Sequence, residues 1–317
     1  MKNVLIVGHG KRVRGSILPA LHCLRDSFKI VGIHTRSSGH SLEEIDFAKL
    51  DLIIVAVTLS EVPNVLRRLA IHDVKHITLM LDTPVLAIKN IFAVRYFKHF
   101  KKALISEDTI ALPPFLLARR IIDEGKIGRI KSISFFHNGY KYHALASLKM
   151  LTNEYCITSI YNNKLSKEKR VKKITFSNGV KASFFEPRDY NKGKFLIEGE
   201  KGSIADYDYK GSNVFKIGYL TENNLYKGLT LNGQNVLPDQ IEAKYLANIS
   251  SGVEDVSLMN SMKIVGLMRL ILASVENKSP FHYSPAQGIY DNIAISLSEY
   301  GLFVNFGLAR LLKYIYE

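Results

Sequence analysis

The first ten residues, MKNVLIVGHG, constrain the fold of this 317-residue chain more than any other segment. Residues 3–7, which are apolar after Asn3, are typical of a short, fully buried strand. Gly8-His9-Gly10 then breaks the strand, and residues 16–24 carry apolar side chains at helical spacing. Because a strand, a glycine turn and a helix together direct backbone N–H groups at a pyrophosphate, the pattern predicts a dinucleotide-binding unit.

The glycine pattern of this turn is incomplete. Gly8 suits a tight turn and Gly10 suits a close approach of phosphates to the backbone, with His9 and Lys11 beside that approach. Val13 replaces the third glycine of the common GxGxxG pattern, and the next glycine comes two residues later. An ordinary strand–helix turn has the same composition, so the glycines alone leave both interpretations open.

The first half of the chain alternates strand and helix signals. Strands are predicted at residues 4–7, 29–34, 52–57, 76–81 and 103–106, with helices at 16–25 and 62–70 between them. This order predicts an α/β fold with a doubly wound parallel sheet, a Rossmann domain. Pro113-Pro114 marks a joint before an amphipathic helix at 115–124, so we place the domain boundary between residues 114 and 115.

The second half has a different pattern, which predicts an α+β domain over residues 115–317. Strands predicted at 131–137, 171–177, 181–186, 192–199 and 214–221 follow one another without long helices, as in an open, mostly antiparallel sheet. Helices return at 255–276 and 285–316. The densest charge run, residues 164–173, predicts a solvated loop that leads into a strand.

Charge and cysteine content limit the classes of partner. Lys and Arg total 43 against 29 Asp and Glu, a net charge of +14, which fits either general solubility or an anionic ligand. We predict no nucleic-acid partner, because no basic–aromatic motif or recognition helix occurs. Cys23, Cys156 and the histidines show no metal-ligand spacing, so we predict no metal. The chain enters its first strand at once and has no uncharged apolar run of about 18–20 residues, so we expect a cytoplasmic protein without a membrane partner.

Several segments together resemble the Gfo/Idh/MocA oxidoreductases. GHGKRVRGSILPAL resembles their glycine turn and first helix, DLIIVAVTLSEVPNVLRRLA their fourth strand and helix, and LLARRIIDEGKIGRIKSISF the opening of their second domain. FLIEGEKGSI and YSPAQGIYDNIAISLSEYG are similar to a later hairpin and the C-terminal helix. The resemblance implies an N-terminal nucleotide-binding domain and a C-terminal domain that forms the substrate site and subunit contacts.

Two departures from the family pattern concern its chemistry. The family has Glu-Lys-Pro where this chain has Asp82-Thr83-Pro84, and that lysine helps to bind nicotinamide and substrate. Threonine cannot supply a positive charge, so either another residue does so or the usual chemistry is lost. The resemblance implies a cis bond before Pro84. The family also has an aspartate four residues after a helix histidine, a position that is Ser147 after His143 here.

The end of the second predicted strand indicates the cofactor. Thr35-Arg36-Ser37-Ser38 contains no carboxylate to accept from ribose hydroxyls, and a guanidinium with hydroxyls suits a 2′-phosphate. Lys11 and Arg12 could reach the same phosphate, although Arg36 could also be an exposed loop residue. We predict NADP(H) rather than NAD(H). Thr58 and Leu59 follow the next strand and, with Asp82-Thr83-Pro84, are expected to border the nicotinamide half.

Hydride transfer to a carbonyl or imine needs a proton donor. His143, Lys141 and Tyr140 are the candidates, in a segment that follows a strand of the second sheet. The tyrosine could instead pack on the helix and the lysine could be solvated. Glu107-Asp108 closes the fifth strand and either contacts substrate or caps a helix.

The residues therefore predict an NADP(H)-dependent reductase of a carbonyl or imine in a small polar or anionic biosynthetic intermediate or sugar derivative. The alternative is a non-catalytic dinucleotide-binding or metabolite-binding protein of the same fold. We also expect a homo-oligomer, a dimer or a tetramer, whose interface is an apolar open face of the second sheet. The candidate positions for that face are Ile133, Phe135, Phe184 and Phe195, and alternation alone does not decide which of them point outward.

Overall fold

The computed structural model describes residues 1–35, 42–189, 192–249, 257–276 and 283–300. Its first strands are β1 (Lys2–Val7), β2 (Phe28–His34), β3 (Leu52–Val55), β4 (Thr78–Leu81) and β5 (Lys102–Ile105). Within the described residues these strands form one parallel sheet in the order β2-β1-β3-β4-β5. The order reverses beside β1, which confirms the predicted doubly wound sheet.

Helices cover this sheet on both faces. A π-helical turn at Val13–Ile17 leads into α1 (Leu18–Cys23), and α2 (Val62–Leu69) follows β3. The described part of the second crossover, from residue 42 onward, contains two short 3₁₀ turns, Leu42–Glu44 and Phe47–Lys49, and a longer 3₁₀ segment, Ile88–His99, precedes β5. All residues of β3 and β4 are buried, as strands covered on both faces require.

A joint formed by the 3₁₀ turn Asp108–Ala111 and by α3 (Pro113–Asp123) leads into the second sheet. The strands after it are β6 (Ile130–Phe136), β7 (Ile157–Lys164), β8 (Arg170–Phe176), β9 (Lys181–Glu186), β10 (Lys194–Gly199), β11 (Ser203–Ala205), β12 (Val214–Glu222), β13 (Leu225–Leu231) and β14 (Gln234–Asn235). Among the described residues they form a sheet in the order β14-β13-β12-β11-β10-β6-β9-β8-β7. Most pairs are antiparallel, as predicted, and β6 with β9 and β11 with β12 are parallel.

The remaining helices are α4 (Lys141–Thr152), α5 (Gln240–Asn248), α6 (Leu258–Val275) and α7 (Pro285–Glu299). By length and composition α6 could cross a membrane, but 78% of its apolar window is buried inside the protein. Asn260 of α6 donates from Nδ2 to the carbonyl of Gly15 at 2.9 Å, so this core helix contacts the π-helical turn. The predicted extension of the last helix to residue 316 lies outside the described residues.

The charge run at residues 164–173 is not simply a loop, and that prediction was wrong in part. It includes the end of β7 and the start of β8, which pair from Lys164 with Arg170 onward. Lys172 is fully buried, and its Nζ lies 2.8 Å from Oε1 of Glu299 at the end of α7. A buried lysine needs such a partner, and this partner lies too far along the chain for a local charge pattern to reveal it.

The four positions considered for an open apolar face lie on the inner face instead. Ile133, Phe135, Phe184 and Phe195 are buried, and Phe115 of α3 stacks on Phe135 with ring centroids 5.2 Å apart. The opposite face of the same strands carries hydroxyl groups. Oγ of Ser132 on this outer face donates to Glu198 at 2.6 Å. The expectation of an apolar outer face built on those four residues was therefore wrong, because the helices of this domain cover them.

Candidate functional site

The turn after β1 needs its two glycines for different reasons. Gly8 has a φ of +112°, and a Cβ on it would lie 2.1 Å from the carbonyl oxygen of Ala56, just after β3. A Cβ on Gly10 would meet no atom of the described residues within 4 Å. Only glycine fits at Gly8 because backbone passes close by, whereas Gly10 borders open space that a phosphate can enter.

The missing third glycine changes the start of the helix. Val13 is fully buried and begins the π-helical turn Val13–Ile17. Such turns occur frequently at functional sites. The N–H groups of residues 13 and 14 both reach the carbonyl of Gly10, at 3.0 and 3.2 Å. The N–H groups of residues 11 and 12 precede this ladder, at the position where a helix N-terminus binds an anion. The turn therefore fits a pyrophosphate despite its incomplete pattern.

Arg12 extends from this turn across the carboxyl ends of the parallel strands. Its Nε donates to Oδ1 of Asp82 at 3.1 Å, and its Nη2 lies 2.6 Å from Oδ2 of Asp108. Burial alone would lower the pKa of Arg12, but the charges of Asp108 and Asp82 outweigh burial and raise it. The guanidinium is therefore always charged and is engaged by two carboxylates. This geometry does not support the predicted contact of Arg12 with a 2′-phosphate.

The segment Asp82-Thr83-Pro84 follows β4, and its Thr83–Pro84 peptide bond is cis, as the resemblance implied. Oδ1 of Asp82 accepts from Arg12 and also, at 2.9 Å, from Oγ of Ser106 at the end of β5. The carboxylate of Asp82 therefore links its own segment after β4 to the turn after β1 and to the end of β5. Thr83 has no charge, so the positive charge in contact with this segment belongs to Arg12.

A second polar pair lies at the end of β5. Nδ1 of His143 is 2.8 Å from both carboxylate oxygens of Glu107, and Oγ1 of Thr109 donates to Oε1 of Glu107 at 2.6 Å. Burial alone would raise the pKa of Glu107, but the contacts with His143 and Thr109 outweigh burial and lower it. Since an ionised carboxylate only accepts, Nδ1 of His143 donates, and Nε2 is left for proton exchange.

Hydroxyl groups fix the first turns of α4, which carries His143. Oγ of Ser147 lies 3.0 Å from the carbonyl oxygen of His143 and 3.2 Å from that of Thr109. Ser147 takes the position where the resemblance places an aspartate. In this chain the hydroxyl of Ser147 holds α4 against the segment after β5 and contributes no charge to the site.

Two tyrosine rings lie close to His143, and one of them belongs to the predicted donor Tyr140. The rings of Tyr142 and Tyr140 have centroids 4.4 and 6.4 Å from the His143 ring. Burial, followed by the charge of Glu107, raises the pKa of Tyr142, so it is a weak acid near neutral pH. Nζ of Lys141 lies 5.4 Å from the centroid of the Tyr140 ring. The structure therefore places His143 on the buried carboxylate and Lys141 over an aromatic ring.

The remaining predicted cofactor residues lie at the same edge of the parallel sheet where they are described. His9 and Lys11 are exposed in the glycine turn, and Thr35 follows β2. Thr58 and Leu59 follow β3, with Oγ1 of Thr58 3.3 Å from Oγ of Ser60. Arg36, Ser37 and Ser38 lie outside the described residues.

Sequence reasoning missed the parts played by Ser106, Thr109 and Arg12. A signal for the first two was present, because Ser106-Glu107-Asp108-Thr109 is a run of polar residues directly after an apolar strand. All four are buried, which polar residues rarely are without partners. The capping alternative for Glu107 is not supported, since its side chain makes no capping hydrogen bond to the turn Asp108–Ala111.

Comparison with solved structures establishes the fold. An oxidoreductase from Thermotoga maritima is 16% identical with a TM-score of 0.66, over 98% of this chain and 100% of that one. An oxidoreductase from Agrobacterium radiobacter, solved with NAD+, L-tartaric acid and magnesium, is 12% identical with a TM-score of 0.66, over 96% of this chain and 98% of that one. Levoglucosan dehydrogenase, solved with NADH and L-sorbose, is 14% identical with a TM-score of 0.62, over 96% and 98%.

These similarities extend over both sheets, so the described part of the chain has the two-part fold of these oxidoreductases. No protein-family model matches the sequence, and a search of curated proteins finds no match. Among the described residues, no group of three or more His, Cys, Asp or Glu side chains could hold a metal ion.

Proposed function

We propose that this protein is an NADP(H)-dependent oxidoreductase of the Gfo/Idh/MocA type. The observation that carries the proposal is the Glu107–His143 pair at the carboxyl edge of the parallel sheet, the edge at which doubly wound folds bind their ligands. A histidine oriented by a buried carboxylate is suited to proton transfer. The glycine turn at the same edge fits a dinucleotide, and structures of similar fold contain NAD+ or NADH.

The dinucleotide would lie along this edge. The turn at Gly10 would hold its pyrophosphate, Thr58 would face the ribose of the nicotinamide half, and the segment Thr83-Pro84 would border the ring. When bound, the nicotinamide supplies or accepts the hydride. The other tasks, which are to bind, to orient and to move a proton, belong to side chains of this chain.

His143 performs the proton transfer in this proposal. In reduction, the carbon of a C=O or C=N group gains the hydride, and its oxygen or nitrogen gains the proton from Nε2 of His143. The carboxylate of Glu107 stabilises the imidazolium before transfer, and solvent restores the proton afterwards. With Thr83 in place of a lysine, a carbonyl or imine requires less of the site than the oxidation of an alcohol would. We therefore favour the direction of reduction.

The substrate class is a small polar or anionic biosynthetic intermediate or a sugar derivative. The net charge of +14 favours anionic ligands. The similar levoglucosan dehydrogenase was solved with a sugar, L-sorbose. The preference for NADP(H) rests on Thr35-Arg36-Ser37-Ser38, where a guanidinium and hydroxyls replace the usual carboxylate, and on Lys11, which is exposed in the glycine turn.

A binding titration of the purified protein with NADPH and NADH, followed by fluorescence, tests the proposal. We expect saturable binding of both dinucleotides and tighter binding of NADPH. A screen of carbonyl and imine substrates then uses the dinucleotide that binds. Failure of both dinucleotides to bind at millimolar concentration would contradict the proposal.

A non-catalytic dinucleotide-binding protein is the second candidate, and Thr83 at the position of the family's lysine is the observation that favours it. Binding of NADPH without turnover of any substrate in the screen supports this alternative. Turnover that depends on His143 excludes it.

We also propose that the protein self-associates in the cytoplasm, through the outer face of the second sheet. Phe136 on that face contacts Phe185 and Tyr207, with ring centroids 5.5 and 6.1 Å away, and all three are half-buried. Cys23 and Cys156 are not joined by a disulfide, which suits a reducing compartment. Sedimentation velocity should show a dimer or tetramer, and a monomer at every concentration would contradict this interface.

A further inference from the structure

Arg12 brings a positive charge to the segment in which Thr83 stands where the resemblance places a lysine. In the sheet order, β3 separates β1 from β4, so the guanidinium spans from the turn after β1 to the ends of β4 and β5. There it contacts Asp82, which directly precedes Thr83, and Asp108, which directly follows Glu107. Arg12 therefore connects the cis-proline segment with the segment that contains Glu107, the partner of His143.

The two carboxylates fix the position of this charge. Asp108 is buried, and Asp82 is held by Ser106 as well as by Arg12. The side chain of Arg12 is 26% exposed, so one side of it remains open toward solvent and ligand. An arginine held in this way cannot exchange a proton at any working pH, but it presents a fixed charge.

We infer that Arg12 is a positioning residue that supplies the fixed positive charge of the site, while His143 alone handles the proton. A lysine can both supply a positive charge and transfer a proton, whereas this chain divides the two tasks between Arg12 and His143. The inference rests on the proposed function, because it concerns the nicotinamide half of the dinucleotide. It implies that Arg12, Asp82 and Asp108 together set the relative affinity for the oxidised and the reduced dinucleotide.

NADP+ and NADPH are suitable probes because they differ by one positive charge on the nicotinamide ring. Removing Arg12 leaves the carboxylates of Asp82 and Asp108 without their cation. They then attract the positively charged nicotinamide ring of NADP+ more strongly, whereas the neutral ring of NADPH gains no such attraction. Unit charges at contact distances near a protein surface interact strongly enough to change this ratio by about 10-fold or more. No substrate is needed to measure it.

The experiment compares the dissociation constants of NADP+ and NADPH, by calorimetric titration, in the wild type and four variants. Arg12→Met should lower the ratio of Kd for NADP+ to Kd for NADPH by about 10-fold. Asp82→Asn should raise the ratio, and Arg12→Lys should leave it close to that of the wild type. Arg14→Met is the matched control, because Arg14 loses the same charge in the same turn but donates to the carbonyl of His9.

The outcomes of these titrations distinguish the proposed function from the inference about Arg12. If neither dinucleotide binds the wild type, the proposed function fails. If both bind and Arg12→Met and Arg14→Met give the same ratio as the wild type, the proposed function stands and the inference is overturned. If Arg12→Met does not fold, as judged by circular dichroism, Asp82→Asn decides, and an unchanged or lower ratio in that variant overturns the inference.

Discussion

Two networks of charged side chains meet α4 at opposite ends, and they differ in how far they open to solvent. The closed network consists of Lys149, Asp291 and Tyr283; its lysine and aspartate side chains are 2% and 0% exposed. The open network consists of Arg12, Asp82, Asp108, Glu107 and His143. In the open network the Arg12 and His143 side chains are 26% and 17% exposed. A network buried on every side can only fix the structure, whereas the open network has atoms left for a ligand.

The closed network fixes the position of α4, the helix that carries His143 of the open network. Lys149 and His143 lie on the same helix, and Asp291 belongs to α7, which also donates from Asn292 to the carbonyl of Leu86 at 2.7 Å. Lys149 also lies over the ring of Tyr290, 4.3 Å from its centroid. The ion pair therefore anchors α4 to a helix that contacts the segment after Thr83-Pro84. That anchor holds His143 against Glu107.

The largest expected effect is in the open network. His143→Gln should lower turnover by roughly 10²–10⁴-fold, because the site loses its proton donor, while the affinity for NADPH changes little. Steady-state kinetics and a binding titration measure the two effects separately. His22→Gln on the exposed side of α1 is the control and should keep full turnover. Full turnover in His143→Gln would remove His143 from the mechanism and direct attention to Lys141 and Tyr140.

The closed network should affect stability instead. Lys149→Met leaves Asp291 buried without its cation, which should lower the free energy of unfolding by about 3–5 kcal/mol. The double variant Lys149→Met/Asp291→Leu should recover most of that loss, since it removes the unpaired charge as well. Urea denaturation measures both. A loss in the single variant below about 1 kcal/mol, the usual range of exposed pairs, would show that the pair is not closed.

The third prediction extends the open site to the adenosine half of the cofactor. Arg36→Ala should reduce the preference for NADPH over NADH by about 1.5–3 kcal/mol, the contribution of a charge-assisted contact with a phosphate. Titration of both dinucleotides measures it. Arg25→Ala, which removes an exposed arginine after α1, should leave the preference unchanged. Equal affinities of NADPH and NADH in the wild type would contradict the assignment.

The smallest effect concerns acid stability. The pKa of Glu107 is lower in the folded protein than its ordinary value of 4.5, so its contribution to stability is present above that value and disappears as pH falls through the folded pKa. Thermal melting between about pH 3 and 7 should show a steeper acid loss in the wild type than in Glu107→Gln. Glu200→Gln, at a surface pair with Arg129, should follow the wild type. Parallel curves for Glu107→Gln and the wild type would sink this prediction.

The sequence predicted what depends on local patterns. The apolar runs of β3 and β4 indicated buried parallel strands, and the resemblance indicated the cis bond before Pro84; both are confirmed. The face of the second sheet on which Phe135 and Phe195 lie was not predictable, because alternation gives two faces and not their environment. The helix that covers them decides it, and it is contributed by another part of the chain.

The sequence also predicted those parts of the site that depend on local patterns, but not the partners that are distant along the chain. His143 was predicted from the resemblance, as the histidine of a helix that follows a strand, but its partner Glu107 lies 36 residues away. Arg12 and Asp82 are 70 residues apart, so the turn suggested a phosphate ligand for a guanidinium that meets carboxylates instead. The charge run predicted a solvated Lys172, whereas its partners come from β9 and α7. Each of these three charged groups has a partner that is distant in sequence.

A crystal structure of the protein with NADPH tests the central claim most directly, which is that the open network faces a bound dinucleotide. We predict the pyrophosphate at the turn of Gly10 and the nicotinamide between the Thr83-Pro84 segment and His143, with Lys149 and Asp291 out of reach of the ligand. A dinucleotide bound elsewhere, or no density over Gly10 at saturating NADPH, would contradict the account.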